Sequence, residues 1–127
     1  MEHIYDDNLA IRNAKKLLKK GGHLIILVPS YNKLMNGFDE ELGHFRRYTV
    51  PSLTRLFEQE KLEVIHQQYF NFVGMFGWYI SGNLLKNKVI PKGQMSLYNN
   101  LVPIIKLIDK LVLNKVGLST IVVGRKK

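Results

Sequence analysis

The run Gly-His-Phe-Arg-Arg-Tyr at positions 43 to 48 concentrates side chains that can do chemistry. His44 can act as a general base, because the histidine side chain has a reference pKa of about 6.5 and exchanges protons near neutral pH. Arg46 and Arg47 can hold a phosphate or carboxylate group, since a guanidinium fork matches either anion. Tyr48 can orient the bound molecule. The run therefore predicts a catalytic His44 beside a substrate-binding group of Arg46, Arg47 and Tyr48.

The same run also has a purely structural interpretation. Three acidic residues precede it, Asp39, Glu40 and Glu41, and they can hold its arginines in ion pairs. For Arg47 this interpretation is slightly favoured over substrate binding. Both roles stay open at the level of the sequence.

Four histidines, at positions 3, 23, 44 and 66, raise the question of a metal site. No two of them have the short ligand spacing of common metal motifs, such as the His-x-x-x-His pair on a helix. His23 and His66 fall inside predicted strands, where a structural role is strongly favoured. The chain has no cysteine, which excludes thiolate ligands, a cysteine nucleophile and disulfides. We predict no metal site.

The elements that must position these residues alternate between helix and strand. Residues 23–28 form a nearly continuous apolar run between Gly22 and Pro29, which is typical of a strand buried on both faces. Residues 30–48 have no sustained period and predict a long loop with one helical turn, and long loops in compact domains are usually functional. The other predicted elements are a helix capped at residues 6–8, a short helix capped by Thr49, strands at 62–70 and 118–123, an apolar helix at 72–86 and a long amphipathic helix at 97–112. This alternation predicts one α/β domain over residues 1–127.

The amino-acid composition and the distribution of charge indicate which kinds of molecule the chain could bind. The chain is 46% hydrophobic and 23% charged, as in ordinary globular domains, and its net charge of +9 attracts polyanions. The basic residues gather at helix ends, in linkers and at the terminus, without the interleaved aromatic side chains that track a nucleic-acid backbone. Nucleic acid is therefore a disfavoured partner. No signal peptide is visible, and we expect a cytoplasmic protein with peripheral contact at the inner face of the membrane.

Four segments resemble class I S-adenosylmethionine-dependent methyltransferases. The opening Glu-His-Ile-Tyr-Asp-Asp at 2–7 resembles the Leu-Glu-His-Ile/Val-x-Asp signature that follows the fourth strand of the family. Residues 17–29 are similar to its Leu-Leu-Lys-Pro-Gly-Gly helix stop and fifth strand, with Lys20 in place of the proline. Residues 43–49 resemble a loop of a bacterial subgroup of uncharacterised or envelope-associated members, and 117–126 are similar to the final strand. The matches follow the family's order over nearly the whole chain, and 43–49 is the most specific.

The resemblance implies a fold and a cofactor. The fold would be the C-terminal portion of a Rossmann-like methyltransferase domain, holding its fifth, sixth and seventh strands. We expect a mixed sheet of about three strands with flanking helices, in which the last strand is antiparallel and lies in the middle. The cofactor would be S-adenosylmethionine, with Glu2, His3 and Ile4 beside it. A helix-capping or other structural role for His3 is about equally favoured.

The family's glycine-rich turn, which cradles the cofactor after the first strand, has no counterpart in the chain. We therefore expect the chain alone to bind S-adenosylmethionine poorly unless a partner supplies the first half of the domain. The fifth strand would then have an open edge, which favours homo-oligomers.

The function implied is methyl transfer to oxygen or nitrogen of a small or lipid-linked acceptor. His44 would remove the acceptor's proton. Two alternatives stay open: a non-catalytic membrane-surface or regulatory module that retains part of the fold, and a basic nucleic-acid binder.

Overall fold

The computed structural model describes residues 1–88 and 93–127, which form a mixed α/β structure with a three-stranded sheet. In chain order the elements are α1 (Asp7–Leu17), β1 (His23–Pro29), α2 (Gly37–Leu42), α3 (Val50–Gln59), β2 (Leu62–Phe70), α4 (Phe72–Trp78), α5 (Gln94–Leu111) and β3 (Ser119–Lys126). A 3-10 turn at Asn32–Leu34 precedes α2, and a π-helix at Tyr79–Leu84 continues α4.

The strand order is β1-β3-β2, and β3 runs antiparallel to both neighbours. Val122 of β3 illustrates the central position of this strand, because it pairs with Ile26 on β1 and with Gln67 on β2. The predicted place and direction of the last strand are thereby confirmed. The prediction of a mixed sheet is wrong for these strands, because β3 separates the two strands that run in the same direction and each neighbouring pair is antiparallel.

Local capping explains where the helices begin. The Asp6 side chain accepts a hydrogen bond from the backbone N–H of Leu9 at 2.8 Å and starts α1. Thr49 and Ser52 form a reciprocal capping box at the start of α3, with Pro51 in the first turn where its missing N–H costs little. Both helices were predicted. The six-residue α2 is longer than the single helical turn expected in the loop. Its full length could not be predicted, because six residues are too few to show a hydrophobic period.

The core lies on one face of the sheet. Leu53 and Phe57 of α3 pack there with Ile11 of α1 and Val122 of β3, and all four are fully buried. On the other face, Ile25 and Leu27 of β1 are 63% and 56% exposed. The prediction that β1 is buried on both faces is therefore wrong: its burial alternates, as in a strand covered on one side only. Among the described strands, none pairs with the outer edge of β1.

A buried carboxylate attaches the last helix to the end of β2. Asp109 of α5 accepts hydrogen bonds from the backbone N–H groups of Asn71 and Phe72, at 2.7 and 2.8 Å, where α4 begins. These two hydrogen bonds hold α5 against the first residues of α4, where the chain leaves β2. Within the two described stretches, no helix is long and apolar enough to cross a membrane.

Candidate functional site

A cleft of about 320 Å³ lies at the carboxyl end of β1. Its walls include Glu2, His44, Arg47, Trp78 and the last residues of β1, so it joins the start of the chain to the Gly-His-Phe-Arg-Arg-Tyr run. In open α/β sheets, ligands bind outside the carboxyl ends of strands. A larger depression between α1 and the end of α3 has Arg12 already paired with Glu60, and it contains none of the predicted site residues. We take the smaller cleft as the candidate site.

Asp39 is the fully buried centre of the site. Its Oδ1 accepts hydrogen bonds from His44 Nδ1 at 2.7 Å and from Arg47 Nε at 2.8 Å. Its Oδ2 accepts the backbone N–H of Asn36 at 3.0 Å and completes the capping box of α2. The carboxylate therefore joins the start of a helix to two residues of the run, and charge-assisted bonds of this kind are among the stronger ones in proteins.

Arg47 is held on three sides. Besides Asp39, its Nη1 donates to the backbone carbonyl of Ser30 at 3.1 Å. Its guanidinium carbon lies 4.7 Å from the centre of the Trp78 ring, within cation–π range. The ion-pair interpretation is thus observed for this residue. Substrate binding by Arg47 stays a prediction. Only the guanidinium N–H groups that make none of these hydrogen bonds could contact a substrate.

The bond to Asp39 decides how the His44 ring is protonated. An ionised carboxylate only accepts hydrogen bonds, so Nδ1 of His44 carries the proton and donates it. In the neutral ring, Nε2 then has a free lone pair. The His44 side chain is 9% exposed and lines the cleft, so this nitrogen can accept a proton or bind a cation there.

Residues from the start of the chain pack against His44. The His3 and His44 rings meet edge to face with centroids 4.7 Å apart, and His3 Nδ1 lies 3.3 Å from the backbone oxygen of Gly43. Glu2 Oε1 is 3.7 Å from His3 Nε2. The structure therefore brings Glu2, His3 and His44 together. Ile4, the third predicted cofactor residue, is exposed in the turn that follows.

Arg46 and Tyr48 are placed differently, because both bind the start of α1. Arg46 donates to Asp7 Oδ2 and to the backbone oxygen of Tyr5, each at 2.8 Å. The Tyr48 hydroxyl donates to the same Asp7 oxygen at 3.1 Å. Burial, reinforced by the Asp7 carboxylate, raises the pKa of Tyr48 well above its ordinary value, so the hydroxyl remains a donor. Neither side chain lines the cleft, and their substrate-binding roles stay predictions.

Two residues of the site were not among those predicted for it. Asp39 was considered only as an ion-pair partner, and its Asn-x-x-Asp spacing with Asn36 is the capping signal that could have identified it as fixed. Trp78 falls in the apolar helix predicted at 72–86, and no local signal links it to Arg47. Its indole N–H donates to the backbone oxygen of Leu34 at 3.1 Å, which holds the ring beside the cleft.

Neither a scan against protein-family models nor a search of the curated proteins found a match. The chemistry of the cleft rests on its own residues. It offers a free imidazole nitrogen oriented by a buried carboxylate, a second imidazole and carboxylate beside it, and a guanidinium over an indole. Such a set can accept a proton from a bound hydroxyl or amine and can hold a polar ligand.

The substitution Asp39→Asn tests the central role of this carboxylate. Arg47 would remain buried without a counter-ion, and leaving a buried charge unpaired costs about 3–5 kcal/mol. We expect the free energy of unfolding, measured by urea denaturation, to fall by an amount in that range. Glu40→Gln is the matched control at the adjacent exposed position, and it should change stability by less than about 0.5 kcal/mol. Equal stability of the two variants would contradict the assignment.

Proposed function

We propose that the chain carries the acceptor side of an S-adenosylmethionine-dependent methyltransferase, which acts on oxygen or nitrogen of a small or lipid-linked acceptor. The observation that carries the proposal is His44, held by Asp39 with its free nitrogen available in a cleft at the carboxyl end of β1. Glu2 and His3, which the sequence resemblance puts beside the cofactor, lie against the same histidine.

The sheet supports the corresponding fold proposal. We infer that β1, β2 and β3 are the fifth, sixth and seventh strands of a Rossmann-like methyltransferase sheet, whose fourth strand would pair with the free edge of β1. The order β1-β3-β2 with an antiparallel β3 agrees with that arrangement. The exposure of Ile25 and Leu27 agrees with a face that a further part of such a domain would cover.

In this function the chain's residues position the acceptor and take its proton. S-adenosylmethionine supplies an electrophilic methyl group when bound, and methyl transfer is an in-line displacement that depends mainly on alignment. His44 Nε2 accepts the proton of the acceptor's hydroxyl or amine, and Asp39 stabilises the imidazolium that forms. Glu2 and His3 form one wall of the cofactor site. Without a glycine-rich turn, this wall alone holds the cofactor weakly.

His44→Gln tests the reaction. Removing a general base lowers the rate by about 10²–10⁴-fold, so we expect a loss of that size in transfer of a labelled methyl group. The assay uses the chain isolated under native conditions, with any partner that supplies the glycine-rich half retained. Exposed His66 provides the control, since His66→Gln should keep the full rate.

Calorimetric titration of the chain alone with S-adenosylmethionine accompanies that assay. We expect weaker binding to the isolated chain than to the native preparation. Tight stoichiometric binding by the chain alone would contradict the proposal that it holds only one wall of the site. Binding by neither preparation would overturn the methyltransferase function, and an unchanged rate in His44→Gln would overturn the role of His44 as its general base.

In the isolated chain, where no fourth strand covers it, the outer edge of β1 also favours self-association, because no strand among the described residues pairs with it. An unpaired edge exposes backbone donors and acceptors, and we propose that a second copy pairs with it. Ile25→Lys puts a charge beside this edge on the exposed face and should weaken dimers, measured by light scattering across a dilution series, at least about tenfold. Leu17→Lys changes a leucine on α1 that is even more exposed than Ile25 and should have no effect. A chain that is monomeric at every concentration would rule this out.

A second candidate function is favoured by α5. Five of its apolar side chains recur at spacings of three and four residues and are 40% to 73% exposed: Leu97, Leu101, Ile104, Leu107 and Leu111. Lys106 and Lys110 are exposed on the same helix, and the chain has a net charge of +9. An apolar stripe bordered by lysines is suited to the surface of an anionic bilayer. We propose peripheral membrane binding through this helix.

Vesicles of phosphatidylcholine with phosphatidylserine provide the test. We expect sedimentation of the chain with these vesicles, weakened by salt because the lysine contribution is screened. Leu107→Glu should reduce the bound fraction at least about tenfold, since it puts a charge into the apolar stripe. Leu17→Glu on α1 serves as the control. Equal sedimentation of both variants would show that α5 is not the binding surface.

A further inference from the structure

We propose that Glu2, His3 and His44 bind a divalent first-row metal ion of the Zn²⁺ class. One ligand atom from each residue can be chosen so that all three lie within 4.8 Å of one another. This proposal departs from the prediction made from the sequence, which considered only short ligand spacings. His3 and His44 are far apart in the chain and meet because the backbone of Phe45 donates to the carbonyl of Glu2 at 2.8 Å.

The orientation of the two imidazoles is the strongest support. Metal-binding histidines usually donate their second ring N–H to a carboxylate or a backbone carbonyl, which fixes the tautomer and ring orientation. Here Nδ1 of His44 donates to the Asp39 carboxylate, and Nδ1 of His3 is directed at the carbonyl of Gly43. Both rings thus keep the lone pair on Nε2 for a metal ion.

The donor set and the spacing agree with a zinc site. Two imidazoles and one carboxylate are an established set of protein ligands in catalytic zinc sites. With ligand distances of about 2.0–2.2 Å and tetrahedral geometry, two ligand atoms on one ion lie roughly 3.4 Å apart. His3 Nε2 and Glu2 Oε1 already lie 3.7 Å apart, near that spacing. All three chosen ligand atoms lie within 4.8 Å of one another, and the His3 side chain, 52% exposed, can turn to bring them closer. His44, held by Asp39, provides the fixed ligand.

Three protein ligands leave a fourth position for an outside ligand. Glu2 and His44 line the cleft, so this position is available to an acceptor placed there. If the chain transfers methyl groups as proposed, a metal ion at this site selects acceptors that have a hydroxyl group. A coordinated hydroxyl has a lowered pKa and gives its proton to water. In the metal-bound form Nε2 of His44 binds the metal ion and does not act as the general base of the metal-free mechanism, and water accepts the proton in its place.

Titration with Co²⁺ and Zn²⁺, in the absence of S-adenosylmethionine and of any acceptor, tests the site. The chain should carry no affinity tag, and it should be compared with a form that has two residues added before Met1. A free amino terminus can bind a metal together with the histidine at position 3. The extension moves the amino group away from His3 and so removes this alternative site. We expect one Co²⁺ per chain in both forms, seen as visible absorption bands, and displacement by Zn²⁺.

His3→Ala and Glu2→Gln should each weaken binding at least about tenfold, as expected when a contact that supports a metal is lost. Both side chains lie outside the hydrophobic core, so folding should survive and can be checked by circular dichroism. His23→Ala and His66→Ala remove exposed histidines of the sheet and serve as matched controls with unchanged binding.

Three results would overturn the proposal: no binding by the chain, equal loss in the control variants, or binding that disappears in the extended form. The outcome is separate from that of the methyl-transfer assay. A chain that binds Co²⁺ but fails that assay retains the metal site and loses the proposed function, while the reverse result removes the metal site alone.

Discussion

The buried Asp39 carboxylate is the interaction on which the candidate site depends. A charge in a protein interior is costly unless its lone pairs are filled, and Asp39 receives donors from His44, Arg47 and the backbone of Asn36. These donors belong to the start of α2 and to the loop that follows it. Filling the lone pairs therefore holds a polar loop in one conformation and fixes the orientation of the His44 imidazole.

The sheet provides the rigid support for this loop. Ser30 at the end of β1 and Thr120 on β3 are fully buried, and their hydroxyl groups lie 2.7 Å apart. The backbone carbonyl of Ser30 then accepts from Arg47, and Ser30 pairs with Tyr48 in a single parallel bridge. The loop is thus attached to the two strands at the point where the cleft opens. Side chains on elements attached in this way hold a catalytic geometry better than those on free loops.

Sequence reasoning found the elements with strong local signals. The capped helices α1 and α3 and the central, antiparallel β3 were predicted, the last from a family resemblance. The exposed face of β1 was not predicted, because a continuous apolar run has the same composition whether the strand is covered on one face or on both. Of the residues proposed from their type, His44 and Arg47 line the cleft, whereas Arg46 and Tyr48 bind the start of α1. The meeting of His3 with His44 and of Trp78 with Arg47 was not predicted, because tertiary packing alone creates these contacts.

The hydrogen bond from the Phe45 backbone to the carbonyl of Glu2 couples the first residues of the chain to the loop. Arg46 reinforces it through the carbonyl of Tyr5, so residues 2 to 5 and 43 to 46 are fastened side by side at several points. Any movement that pulls the amino-terminal segment away must break these bonds together. A change in the path of the chain before α1 would consequently be transmitted directly to the imidazole of His44.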